Sequence, residues 1–86
     1  MSRQSEVLSK LRERLEELGR RIEDLIPDID EKRLEELRAE ARVVREKLQA
    51  ALAQGAEVAE ETLRSVGRGI ERLADRVREA REKTSS

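Results

Sequence analysis

Hydrophobic positions recur along nearly the whole chain at alternating steps of three and four. Leu8, Leu11, Leu15, Leu18, Ile22 and Leu25 form the first run, and Val7 and Ile26 widen it. Because 3.6 residues complete a helical turn, this spacing gathers apolar side chains on one stripe of an α-helix. Charged residues fill the opposite face, where Glu16–Arg20 and Glu17–Arg21 attract at i,i+4 and Glu13–Glu17 repel. Gly19 costs about 1 kcal/mol relative to Ala in a helix interior, and the stripe outweighs it. The pattern predicts a helix over about residues 5–26, capped by Ser2 or Ser5.

Ile26-Pro27-Asp28-Ile29-Asp30 is the strong break. Pro27 removes a backbone donor and disfavours helical geometry at Ile26. Asp28, with Glu31 three residues on, is set up as a capping box for the next helix, and Asp30 is a second candidate cap. A turn over 27–30 is short enough to force an antiparallel αα-hairpin, with Ile29 folding back over its end.

Beyond the turn the stripe resumes through Leu34, Leu37, Ala41, Val44 and Leu48. It continues through Leu52, Ala56, Ala59, Leu63, Val66, Ile70, Leu73, Val77 and Ala80. Gly55 is the one position that suggests a helix end, since Gly is preferred just past a C-terminus. No Ser, Thr, Asp or Asn follows to cap a new helix, and the steps 48, 52, 56, 59 read as a stutter. The pattern therefore favours one helix over about 30–83, roughly 80 Å long. The alternative is a turn near Gly55 and a three-helix bundle. The tail from Lys83 onward is expected to fray.

The absence of Phe, Tyr and Trp makes any core aliphatic, which suits narrow helix–helix seams. Charged residues are 45% of the chain, but the apolar ones are patterned, so the composition is that of long helices and not of disorder. The length fits a single helical domain spanning 1–86. Net charge is −1, yet unevenly spread: residues 30–61 are acidic on balance and residues 62–86 basic. That balance excludes a general nucleic-acid or membrane binder. Without Cys or His the chain has no disulfide or thiolate chemistry and lacks the usual zinc ligand and general base. No apolar run approaches a membrane span, and Met1-Ser2-Arg3-Gln4 does not read as a signal peptide. The expectation is a soluble, cytoplasmic protein.

Candidate chemistry is sparse. Arg64, Arg68, Arg72 and Arg76 lie at successive i+4 positions and could form an anion stripe for phosphate, RNA or anionic lipid. Glu60, Glu71, Asp75 and Glu79 are spaced to offset it, and no aromatic residue is present to stack on bases. Gly67-Arg68-Gly69 lacks the preceding strand that a phosphate-cradling loop requires. Glu36–Glu40 and Glu57–Glu61 share faces, but carboxylate metal bundles need Glu-x-x-His. No Ser or Thr has a neighbouring base. Neither catalysis, nor a cofactor, nor a metal is expected.

Leu11-Arg12-Glu13-Arg14-Leu15-Glu16-Glu17-Leu18 and Ile22-Glu23-Asp24-Leu25-Ile26 resemble the opening helix of the ElaB/YqjD-type bacterial proteins. Leu34-Glu35-Glu36-Leu37-Arg38-Ala39-Glu40-Ala41-Arg42 resembles the start of their longer second helix, and Ala51-Leu52-Ala53-Gln54-Gly55-Ala56-Glu57-Val58-Ala59 a Gly-containing segment within it. The resemblance covers about residues 8–80 and implies a helical dimer linked to membranes and ribosomes. Residues 1–86 hold no Glu-Asn-Pro-Trp-like junction and no membrane helix, so those two roles are not expected. A designed helical protein fits the same pattern equally well.

The expected architecture is all-α: a hairpin of one short and one long helix, dimerising into an antiparallel four-helix bundle or coiled coil. A 22-residue first helix covers only half of the long stripe. The uncovered interface would comprise Leu52, Gly55, Ala56, Ala59, Leu63, Val66, Ile70, Leu73 and Val77. Small residues around the midpoint suit a two-fold crossing, and antiparallel pairing sets the basic end against the acidic middle. The expected function is a non-enzymatic self-association, scaffold or adaptor module, with itself or other helical proteins as partner. The alternative is peripheral binding of anionic lipid or RNA through the Arg stripe.

Overall fold

The computed structural model describes residues 3–84. Among them are three α-helices and no strand: α1 (Arg3–Leu25), α2 (Glu31–Gln54) and α3 (Glu60–Thr84). Ser5 lies inside α1, and the other expected cap, Ser2, is outside the described residues. The six-member stripe is buried as expected, whereas Val7 and Ile26 are exposed and do not widen it. Arg21 bonds Glu17 at 2.9 Å, but Glu16 pairs backwards with Arg12 at 3.4 Å and not with Arg20.

After Leu25 the chain turns through residues whose N–H groups still find partners. Ile26 N donates to Glu23 O, and Asp28 N and Ile29 N both donate to Leu25 O. Pro27 falls where a donor is dispensable. Asp30, not Asp28, caps α2: its backbone is extended, and Oδ1 accepts from Lys32 N at 2.8 Å and Arg33 N at 3.2 Å. Ile29 packs half-buried against the core.

The expected continuous helix over 30–83 does not form. It ends at Gln54, where Gly55 takes φ 64° and ψ −136°, a conformation close to the mirror image of the ordinary extended one. An L-residue reaches that region only at considerable strain. Gly55 N–H donates to Leu52 O, a 3₁₀ turn spans Gly55–Glu57, and Val58 N donates to Gly55 O. No side chain of the Ser, Thr, Asp or Asn type caps α3, and its first turn is closed by the backbone bond from Leu63 N to Ala59 O.

Burial explains why the turn wins. Reversing at Gly55 lays α3 on both earlier helices and leaves Val66, Ile70 and Leu73 with no exposed surface. Each such side chain contributes about 1.5–3 kcal/mol on leaving water. One helix roughly 80 Å long would have left all of them uncovered within a single chain. The bundle instead measures 45 × 18 × 17 Å.

Cross-helix pairs show α2 and α3 running antiparallel, since Glu40 meets Arg76 while Val44 meets Gly69. The core alternates along the three stripes: Leu15, Ile22 and Leu25 from α1, Leu37, Val44 and Leu48 from α2, Val66, Ile70 and Leu73 from α3. Gly69 allows α2 and α3 to approach closely, because a Cβ there would stand 3.0 Å from Val44 Cγ2.

Candidate functional site

The residues expected to form a dimer seam are distributed by the turn at Gly55. Val66, Ile70, Leu73 and Val77 are buried inside a single chain, and Leu63 packs half-buried beside them. Leu52, Gly55 and Ala59 are exposed, and the side chain of Ala56 is outside the described set. The uncovered half-stripe on which the dimer argument rested is thus covered internally.

The Arg stripe is divided as well. Arg64 lies 3.8 Å from Glu60 and Arg76 3.1 Å from Glu40. The second pair crosses from α3 to α2 and brings charge to a carboxylate oxygen that is shielded from solvent and has no hydrogen-bonded donor. Arg68 and Arg72 carry no ion pair among the described residues. They line a shallow recess of about 540 Å³ with Lys47 of α2 and Glu61, Thr62 and Ser65 of α3. Four cations in a line therefore become two ends that lie beside carboxylates and a recess where Lys47, Arg68 and Arg72 share the lining with Glu61. Among the described residues no group of three His, Cys, Asp or Glu side chains is placed to hold a metal ion. No described helix is long and apolar enough to cross a membrane.

A larger feature lies on the opposite flank of α2. The open groove between α1 and α2 has a volume of about 760 Å³. Leu15, Gly19 and Ile22 from α1 and Ala41 and Leu48 from α2 form its floor. The two small residues make it concave: nothing stands within 4 Å of where a Cβ on Gly19 would point. Arg38, Arg42 and Arg45 form the α2 rim, and Leu52 stands 42% exposed at its far end. None of these three arginines has an ion pair among the described residues. On the α1 rim, Arg12 is paired to Glu16, while Arg20 has no ion pair among the described residues.

The helix period generates this rim. Positions 38, 42, 45, 49 and 52 step by four, three, four and three, so they form a second stripe on α2 beside the buried one. A helix in a three-helix bundle touches two neighbours, and α3 occupies the other flank. Such a groove offers an apolar seat between charged ridges. No protein-family model, curated protein or solved structure matches the chain.

Proposed function

We propose that the protein is a non-enzymatic helical interaction module, an adaptor that docks a partner helix along the α1/α2 groove. The observation that carries this reading is the concave apolar floor at Gly19 and Ala41, continued by the exposed Leu52. Helices associate by setting the ridge of one into the groove of another, and small residues at the crossing let the backbones approach. The ElaB/YqjD-type resemblance supports an association role in the same way. Docking a partner has more support than the self-assembling half of the reading, because the stripe that would have joined two copies is spent on the chain's own core.

Binding of anionic lipid or RNA through Arg64 to Arg76 has less support, with two of the four guanidiniums held by carboxylates. A selection of displayed amphipathic helices against the whole protein tests the docking reading. Enriched helices should shift the amide resonances of Gly19, Ala41 and Leu52. Enrichment of none, or a footprint confined to α3, overturns it.

A further inference from the structure

We infer that the partner helix of the α1/α2 groove is acidic: an amphipathic helix whose apolar stripe is flanked by Glu or Asp. The inference rests on the docking reading and adds the chemistry of the partner. Five guanidiniums and two carboxylates line the groove, and one of those carboxylates, Glu16, is already engaged by Arg12.

Arg38, Arg42 and Arg45 stand in a row on α2. The carboxylates within helical reach of them, Glu35 and Glu46, form no ion pair with them. A row of unneutralised like charges repels itself, and carboxylates presented at the same helical spacing relieve that repulsion while pairing with the planar guanidinium fork. From Arg38 to Leu52 the rim extends roughly 21 Å, which matches about two heptads of a partner helix.

Concavity selects among anionic partners. A bilayer surface is flat and cannot reach Gly19 or Ala41 between two ridges. A single-stranded nucleic acid would find no aromatic side chain to stack on, and a duplex, bound through its phosphates, makes no use of an apolar floor. An acidic helix fits both features at once, with aliphatic side chains on the floor and carboxylates on the rim. Complementary charge then sets which helices are accepted, and like charge excludes basic ones.

The test uses the whole chain and a displayed helix library. Its members keep a two-heptad leucine stripe and vary the flanking positions among Glu, Lys and Gln. Selected helices should be rich in Glu, and their binding should weaken as salt is raised. Gly19→Leu, which fills the floor while favouring helix, should abolish binding without lowering the melting temperature. Arg38→Glu, Arg42→Glu and Arg45→Glu together should weaken the Glu-rich helices by about tenfold or more and shift selection toward Lys. Helices that bind in the groove with no preference for Glu would overturn the acidic partner and leave the docking reading standing. No enriched helix at all would remove both. Retained binding in Gly19→Leu would place the interaction elsewhere and overturn the inference.

Discussion

Gly55→Ala is the most informative single substitution, because it acts on two states in opposite directions. In the closed bundle, residue 55 must hold φ 64° and ψ −136°. A Cβ meets no neighbour there, so the penalty is one of backbone conformation and not of packing. Holding an L-residue in such a region costs about 1–3 kcal/mol. In a continuous helix the same change gains about 1 kcal/mol, since Ala is the best helix former. The equilibrium between turned and extended forms then moves by about 2–4 kcal/mol, or roughly 30- to 700-fold.

An extended monomer exposes Val66, Ile70, Leu73 and Val77, so it should recover their burial by exchanging α3 with a second copy. Light scattering behind size exclusion should show one chain per particle for the parent and a growing dimer fraction for Gly55→Ala as concentration rises. At concentrations where the variant is still monomeric, its melting temperature should fall by about 4–8 °C for each kcal/mol of strain. A D-alanine at position 55, installed by chemical ligation, provides the control. It adopts positive φ without strain and should keep the monomer while raising stability by about 0.4–1 kcal/mol. A Gly55→Ala variant that stays monomeric and melts with the parent would mean that residue 55 does not hold the chain in its turn.

In urea melts, Leu73→Ala and Leu15→Ala should each cost about 2–5 kcal/mol, and Glu13→Ala, on the outer face, less than about 0.5 kcal/mol. Equal losses would mean that the facing of α1 is misassigned. Gly67→Ala, whose Cβ meets nothing within 4 Å, should stabilise by about 0.5–1 kcal/mol, whereas Gly69→Leu should destabilise by about 1–3 kcal/mol against Val44. The same melts would show it, and a stabilised Gly69→Leu would contradict the close approach of α2 and α3. Asp30→Ala removes the acceptor for Lys32 N and Arg33 N and should cost about 0.5–2 kcal/mol, with exchange of those two amides accelerated first.

The first helix and its end were legible in the chain itself. An uninterrupted three-and-four stripe followed by Pro27 leaves little freedom, and the core of α1 is the set of residues that the pattern picks out. The turn at Gly55 was harder to read, because local signals argued against it. One glycine without a following cap is compatible with a helix interior, and what decides the matter is burial gained far away, at Val66, Ile70 and Leu73. The folded chain shows the consequence: Ala51 is buried and Leu52 exposed, and the buried set resumes at Val58, so the stripe changes phase across the segment that reads as a stutter.

The groove was hidden for a related reason. Sorting α2 into an apolar and a charged face treats Arg38, Arg42 and Arg45 as solvated surface. Their common alignment with Leu52 becomes meaningful only when α3 is seen to occupy the other flank. The Arg stripe shows the same limit from the other side: its i+4 spacing is real, but Glu40, from another helix, pairs with Arg76 across a contact that no local spacing reveals.

A chain that reverses at Gly55 covers its own stripe and leaves the α1/α2 groove open. The chain has no cysteine, so Ala39→Cys and Asp75→Cys introduce two unique labelling sites, both exposed and near the level of the Glu40–Arg76 contact. Electron–electron distance measurement on the doubly labelled chain, diluted in excess unlabelled protein, reads the intrachain separation alone. The closed bundle predicts a separation set by its 18 Å width and the reach of the two label linkers. A distance near 54 Å, the span of a continuous helix between those positions at about 1.5 Å per residue, would contradict it.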